Sequence, residues 1–253
     1  MKRKIILIVG VLIVICGFVL GYLGYKNSVK EEKAGSLYED IQLEFVKEPL
    51  VDTSQALNER IENPIDFENL TKKYPDVYAW IRIPGTVIDY PIVQREGDNA
   101  YYVNHTIDGE QKTEGAIFTE DYNSKDFLDP NTLIYGHNMK NGSMFKGLHK
   151  YKDRQFFKEN QDVYIYQDGK VLRYKVFAAY LASDKHLLFQ YDFEDKIIFQ
   201  TYLNSVLTKQ DIRSNIDTKV TLTAKDRIIT LVTCDSDPSE RYLVQAVLLS
   251  IQE

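Results

Sequence analysis

Eight short β-like runs recur between residues 79 and 251, and their lengths and spacing constrain the fold more than any other feature. They are rich in Val, Ile, Leu, Tyr and Phe, and the segments between them contain Gly, Pro or Asp. Strands this short, separated by turn signals, are typical of a β-barrel or β-sandwich. Asp168-Gly169 also predicts a tight hairpin. The runs are residues 79–84, 87–93, 115–119, 132–135, 162–166, 171–180, 228–235 and 242–251.

Helical patterns precede this series. Ser36 and Glu39 fit a capping box, and Leu37, Ile41 and Phe45 recur on one helical face. This helix either spaces the β-domain from what precedes it or packs on it. A second short helix is predicted at residues 66–74, ended by Pro75.

A third helical pattern interrupts the strands. Phe193, Ile197, Tyr202, Val206 and Leu207 form a stripe, and strong turn formers are absent until Asp211. The pattern predicts one helix inserted over residues 193–215, before the last two strands.

The N-terminal part of the chain predicts a membrane anchor. Residues 5–25 carry no charge and, as a helix, extend roughly 30 Å, enough to cross a bilayer. Basic residues at positions 2–4 place residues 1–4 in the cytoplasm by the positive-inside rule. A cleaved signal peptide is the alternative, but its apolar part is usually shorter and ends in a small-residue cleavage site.

This topology gives a cytoplasmic N-terminus (1–4), an anchor (5–25), a juxtamembrane helical segment (26–60) and an extracellular domain (61–253). Without the four basic residues that flank the anchor, 27 of the chain's 31 Lys and Arg remain against 37 Asp and Glu, a net charge near −10. Such a charge argues against a nucleic-acid partner, which needs a basic footprint.

Two cysteines are too few for a disulfide framework. Cys16 lies within the predicted anchor, so it should not pair with Cys234. Cys234 is then an unpaired thiol outside the cell, where thiols are often oxidised. Cys234 lies at the end of a β-run, and polar, turn-prone residues follow it at once. This position would present the thiol as a nucleophile. A buried, inert cysteine is the alternative.

His137 is the histidine best placed to assist such a thiol. The run 132–135 ends before Gly136, and the imidazole follows at once, held by a strand but facing a loop. That position suits general acid/base chemistry, although a turn histidine bonded to backbone is the commoner case. His105, His149 and His186 stand in polar or helical contexts and are interpreted as surface residues.

Arg241 is seven residues after Cys234, across a short loop that contains Pro238. A guanidinium there can lower the pKa of the thiol or hold a developing oxyanion. A surface ion pair with Asp235, Asp237 or Glu240 is equally compatible with the spacing.

Metal and cofactor chemistry finds little support. The histidines are scattered, no His-Glu-x-x-His is present, and there is no Gly-rich phosphate loop. We expect neither a metal nor a cofactor.

Several motifs resemble one family, the sortases, membrane-anchored cysteine transpeptidases of Gram-positive bacteria. Residues 230–234 (Thr-Leu-Val-Thr-Cys) are similar to the sortase Thr-Leu-x-Thr-Cys signature. Residues 135–145 (Tyr-Gly-His-Asn-Met-Lys-Asn-Gly-Ser-Met-Phe) are similar to the histidine motif of the class B subgroup. Residues 80–94 and 98–102 match further, and the resemblance covers about residues 60–251. Val232 departs from the Ser common in class B, and the loop to Arg241 is short.

The resemblance implies a mainly β fold: a closed eight-stranded barrel with N-terminal helices and one helix inserted before the cysteine strand. It makes Cys234 the nucleophile, His137 the general acid/base and Arg241 the residue that steadies the substrate. We also expect Thr233 and Asn99 to contact the substrate.

The implied partners are secreted proteins with a C-terminal sorting motif and an amine of peptidoglycan or its precursor. Two other functions are considered. One is an extracellular cysteine endopeptidase without transfer; the other is a non-catalytic barrel that binds a partner.

Overall fold

The computed structural model of this chain describes Gly21 and residues 37–47 and 61–253. The predicted cytoplasmic residues 1–4, the predicted anchor 5–25 apart from Gly21, and most of the segment 26–60 lie outside these residues. No helix within the described residues combines the length and apolarity that crossing a membrane requires.

Every one of the eight predicted β-runs forms a strand, and the described residues add one further short strand, β7. The 14-residue β6 is the longest, and it begins directly after the Asp168-Gly169 turn. The strands are β1 (Val77–Arg82), β2 (Asp89–Val93), β3 (Ile117–Phe118), β4 (Asn131–Tyr135), β5 (Asp162–Gln167), β6 (Lys170–Ser183), β7 (Asn215–Ile216), β8 (Ile228–Cys234) and β9 (Glu240–Gln252).

The sheet closes on itself, so the fold is a barrel and not a sandwich. Neighbouring strands follow the order β5-β1-β2-β3-β4-β8-β9-β6, and β6 returns to β5 through the predicted hairpin, where Gln167 pairs with Lys170. These eight strands form the closed barrel that the resemblance implied. β7 lies outside it, beside Ala178 and Ala179 of β6. The β2–β3 and β4–β8 pairs are parallel, and the other barrel pairs are antiparallel.

Two helices precede the barrel, as the sequence predicts. Residues 37–45 form α1, in which Ile41 and Phe45 are buried against the barrel core. The Tyr38 hydroxyl donates to the carbonyl of Gly115, 2.6 Å away. This part of the helix therefore packs on the barrel. Helix α2 (Phe67–Lys73) begins after Asp66, whose side chain accepts from the Asn69 amide, and stops before Pro75.

Short helices in the later loops were not predicted. They are a 3-10 turn at Tyr101–Val103, a 3-10 helix at Phe145–Lys152, α3 (Arg154–Glu159) and α4 (Leu187–Gln190).

The inserted helix, α5 (Lys196–Leu207), is shorter than the predicted 193–215. Its N-cap is Asp195, which accepts from the amides of Ile197 and Ile198. Because the chain is not helical before residue 196, the Phe193-to-Ile197 spacing does not place both on one face. Ile197 is 79% exposed, whereas Phe199 is fully buried. The predicted stripe is therefore wrong at Ile197.

The barrel wall separates two apolar layers. The side chains of β8 alternate between these layers, which shows the direction in which the last residues of the strand point. Ile229 and Leu231 point into the barrel core. Ile228 and Val232 point outward, into the layer beneath α5. Since side chains alternate along a strand, Thr233 faces the interior and Cys234 faces the outside.

Candidate active site

Strand β8 delivers Cys234 to the surface. Its first six residues are buried, and only Cys234, at the last position, is exposed. Cys234 is a free thiol. The alternative of a buried cysteine is therefore wrong, and the reactivity of Cys234 stays a prediction.

Arg241 lies directly opposite Cys234 on β9. The Asp235 amide donates to the Glu240 carbonyl, so the next pair inward, Cys234–Arg241, is of the non-hydrogen-bonded kind. Such pairs bring their two Cα atoms to about 4.5 Å and their side chains close together on one face. The strand register thus places the two side chains next to each other on the same face of the sheet.

The Arg241 guanidinium is held by loop carbonyls. Its Nη1 donates to the carbonyls of Pro238 (2.8 Å) and Glu240 (3.1 Å). Within the described part of the chain, Nε and Nη2 make no hydrogen bond, which leaves two donors for a ligand oxygen.

The acids near Arg241 have other partners. Asp235 pairs with Lys152 at 2.8 Å, and Glu240 pairs with Arg213 at 3.2 Å. Asp237 accepts from the amide and hydroxyl of Ser239. The interpretation of Arg241 as half of a surface ion pair is therefore wrong for the residues described.

Strand β4 carries His137 to the level of Cys234. It runs parallel to β8 with Tyr135 beside Val232, and the Gly136 amide extends the ladder to the Val232 carbonyl. A side chain at position 136 would clash, since its Cβ would lie 2.5 Å from the Ile117 side chain and 2.6 Å from that of Phe145. His137 follows directly after this last ladder bond.

The His137 ring is oriented by a backbone carbonyl. Its Nε2 lies 2.6 Å from the carbonyl oxygen of Val103, in the Tyr101–Val103 turn. A carbonyl only accepts, so Nε2 carries the proton of the neutral ring. This leaves Nδ1 as the basic atom.

The other three histidines are half-buried, so their interpretation as surface residues is wrong. His186 contacts Glu120 and the hydroxyl of Tyr135. His105 stacks on Tyr101, with ring centroids 4.1 Å apart.

His149 packs directly beneath the candidate nucleophile. It stacks on Tyr242, and its Nε2 lies 3.2 Å from the Cys234 carbonyl oxygen. Burial and, after it, the Lys152 charge lower the pKa of His149, which keeps the ring neutral at neutral pH. No local sequence pattern signals this contact, because it depends on how the 3-10 helix packs.

Asn138 is a second contact that the sequence analysis missed. Its Nδ2 donates to the Cys234 carbonyl at 2.9 Å. The available signal was its position immediately after His137.

The structure does not bring Thr233 and Asn99 to the exposed face of Cys234. Thr233 is 2% exposed and faces the interior opposite Tyr242. Asn99 uses both ends of its amide on Asp121, accepting from its backbone and donating to its carboxylate. Substrate contact by these two residues stays a prediction.

Among the described residues, no three His, Cys, Asp or Glu side chains cluster in a way that could hold a metal ion. The groups that the structure places at this edge of the barrel include the Cys234 thiol, the His137 imidazole and the Arg241 guanidinium.

Known proteins combine the same elements. The sortase domain model matches residues 81–249. This chain belongs to the sortase family, and its similarities lie within class B.

Three relatives illustrate the similarity. Sortase B of Listeria monocytogenes is 36% identical over 189 residues, which cover 73% of this chain and 74% of the relative. Sortase B of Staphylococcus aureus is 28% identical over 98% of both chains. The crystal structure of sortase B from Bacillus anthracis superposes with a TM-score of 0.72 at 29% identity, covering 88% of this chain and 99% of that one. The enzyme is accordingly a cysteine transpeptidase of the sortase type.

Proposed function

We propose that this enzyme cleaves the C-terminal sorting motif of secreted proteins through a thioacyl intermediate on Cys234. It then transfers the acyl group to an amine of peptidoglycan or its precursor. The observation that carries this proposal is the meeting of Cys234 and Arg241 at the end of the β8–β9 ladder. His137 enters the same edge from β4.

In the first half-reaction, His137 Nδ1 takes the thiol proton as Cys234 Sγ attacks the carbonyl carbon of the scissile peptide. A C–S bond forms, and the carbonyl oxygen becomes an oxyanion. The free Nε and Nη2 donors of Arg241 stabilise that oxyanion, because charge-assisted hydrogen bonds strengthen as charge develops.

Collapse of this intermediate breaks the C–N bond. His137 gives a proton to the departing amine, which leaves as the C-terminal fragment. The acyl group remains on Cys234 as a thioester. One difficult displacement is thereby divided into two easier ones.

In the second half-reaction, the acceptor amine attacks the thioester. A new C–N bond forms, the C–S bond breaks, and His137 takes the proton that the amine loses. The imidazolium passes this proton to the departing thiolate, which restores the free thiol and the neutral imidazole.

The enzyme acts outside the cell, held by an anchor at residues 5–25 with residues 1–4 in the cytoplasm. The uncharged length of the segment and its basic N-terminal flank support this topology. The anchor would keep the domain at the membrane face, where secreted substrates and wall precursors meet.

Product analysis tests transfer against hydrolysis. The full-length enzyme is incubated with a mixed library of sorting-motif peptides, with and without hydroxylamine as the amine. Transfer predicts hydroxamate products that replace free acids as hydroxylamine rises. Free acids at all amine concentrations would instead identify an endopeptidase, and an unchanged library would identify a binding protein.

A further inference from the structure

The carbonyl oxygen of Cys234 stands at the end of a ladder. Because Cys234 and Arg241 form a non-hydrogen-bonded pair, this carbonyl points away from β9 and towards β4. Strand β4 ends at Tyr135, before it can supply a ladder partner at this level. The Cys234 carbonyl therefore needs hydrogen-bond donors from another part of the chain.

Two side chains from separate segments supply those donors. Asn138 Nδ2 lies 2.9 Å from the oxygen, and His149 Nε2 lies 3.2 Å from it. A carbonyl oxygen has two lone pairs, so its accepting capacity is filled.

His149 is itself held in place. Its ring stacks on Tyr242 at a centroid distance of 5.1 Å and an interplanar angle of 22°. Tyr242 is fully buried. The neutral ring has one proton, and the contact with a carbonyl assigns it to Nε2.

The same 3-10 helix also fixes the residue after Cys234. Lys152 pairs with Asp235 and lies over the Tyr242 ring, 5.1 Å from its centroid. The peptide unit that joins residues 234 and 235 is thus held from its carbonyl and from the following side chain.

We propose that Asn138 and His149 are positioning residues that clamp the Cys234 peptide unit and so set the direction of its Sγ towards the substrate carbonyl. This inference rests on the proposed role of Cys234 as the nucleophile. Neither residue touches the reacting atoms, and both act through the Cys234 carbonyl.

Without the clamp, the backbone holds this peptide unit only through the long bond from the Asp235 amide to the Glu240 carbonyl, 3.4 Å, so the unit can tilt and Sγ samples several directions. A misplacement of about 1 Å from a near-attack geometry costs about a hundredfold in rate. The intrinsic reactivity of the thiol depends on its thiolate fraction and on access, and not on this direction. Acylation by a peptide and alkylation by a small reagent should therefore respond differently.

A pair of substitutions at His149 isolates the donor. His149→Phe keeps an aromatic ring for the stack on Tyr242 but removes the hydrogen bond. His149→Gln returns an N–H donor near the position of Nε2. Asn138→Leu removes the other donor at nearly constant volume.

The full-length variants are assayed with the peptide that wild-type enzyme converts to hydroxamate most efficiently in the library experiment. We expect His149→Phe and Asn138→Leu to lower kcat about ten- to a hundredfold with KM within about twofold. His149→Gln should recover kcat to within about threefold of wild type, since the donor is restored.

Iodoacetamide alkylation, mapped to Cys234 by mass spectrometry, supplies the second measurement. We expect every variant to alkylate within about twofold of the wild-type rate. Circular dichroism melts confirm that each variant is folded at the assay temperature.

Three results would overturn the clamp: wild-type kcat in His149→Phe, equal damage in His149→Gln and His149→Phe, or alkylation that falls in parallel with kcat. Cys234→Ala separates this failure from that of the proposed function. If Cys234→Ala still transfers, the proposed function fails; if it is inactive while His149→Phe is normal, only the clamp fails.

Discussion

Cys234 and Arg241 lie directly opposite each other at the last rung of the β8–β9 ladder. Backbone register alone places these two residues side by side, so their pairing depends on the two strands, while the loop carbonyl of Pro238 holds the guanidinium. Within the described residues, Nε and Nη2 of the guanidinium make no hydrogen bond, and the nearby acids Asp235 and Glu240 are engaged by Lys152 and Arg213.

Replacing Arg241 with Lys should lower kcat/KM about a hundredfold, the usual cost of removing an oxyanion donor. Lys keeps the positive charge but loses the planar fork whose Nη1 is anchored while Nε and Nη2 remain free. Steady-state kinetics with a sorting peptide measures the loss. Arg213→Lys is the matched control, because Arg213 contacts Glu240 from an exposed position; it should keep near-normal kinetics. Equal rates for wild type and Arg241→Lys would refute the role of the guanidinium.

Replacing Gly115 with Ala should reduce both stability and activity. Gly115 has φ +56°, and an added Cβ would lie 2.8 Å from the Val103 carbonyl oxygen, the group that holds His137 Nε2. The change would displace that oxygen and release the imidazole.

Gly169→Ala separates this displacement from backbone strain. Gly169 also has positive φ, but nothing lies within 4 Å of its added Cβ. Strain alone costs about 1–3 kcal/mol of unfolding free energy in either variant. Only Gly115→Ala should lose kcat per mole of folded enzyme, and equal kcat in the two variants would contradict this account of His137.

The ion pair between Asp235 and Lys152 predicts a pH-dependent stability. Burial by itself would raise the pKa of Asp235, but hydrogen bonds from Lys152 and the Ser236 amide outweigh it, so that pKa is lowered from 3.8. A carboxyl whose folded-state pKa is depressed stabilises the fold above its unfolded pKa, and this stabilisation disappears as pH falls through the folded value.

Asp235→Asn should therefore lower the free energy of unfolding by about 1 kcal/mol at pH 7, a modest value because Lys152 is partly open to solvent. The difference from wild type should shrink below pH 4. Urea titrations at pH 7, 5 and 3 measure it. A difference that stays constant down to pH 3 would show that the ion pair is not its source.

Two neighbouring positions in α5 should differ sharply in their contribution to stability. Phe199 is fully buried beneath the helix, whereas Ile197 is 79% exposed. Phe199→Ala should cost about 3–5 kcal/mol, and Ile197→Ala should stay within about 0.5 kcal/mol. Urea unfolding measures both, and a large loss in Ile197→Ala would contradict the observed orientation of the helix.

The strands were predictable because each depends on local residue type and on turn signals. The hairpin at Asp168-Gly169 and the helix capped by Asp66 followed from the same local rules. Closure into a barrel was not readable from periodicity, since it depends on β4 pairing with β8 across almost 100 residues. The resemblance to sortases supplied it. Ile197 was misplaced because a helical spacing was extended across Asp195, where the helix begins.

The site divides in a similar way. Cys234, His137 and Arg241 stand at strand ends and next to turn residues, so the sequence singled them out as candidates. Other contacts of the site come from segments that are remote in the sequence, which no local pattern encodes. Lys152 and Arg213 pair with the acids near Arg241, and His149 contacts the Cys234 carbonyl. Thr233 was expected at the substrate, but strand alternation turns its side chain into the barrel interior.

The most direct test of the central claim is intact-protein and peptide mass spectrometry of the full-length chain incubated with a sorting peptide in the absence of an amine. The account predicts a thioester at Cys234 that adds the mass of the peptide's N-terminal fragment less one water. This adduct should be lost when an amine is added and be absent in Cys234→Ala. Cleavage of the peptide by Cys234→Ala, or an adduct that maps to another residue, would contradict it.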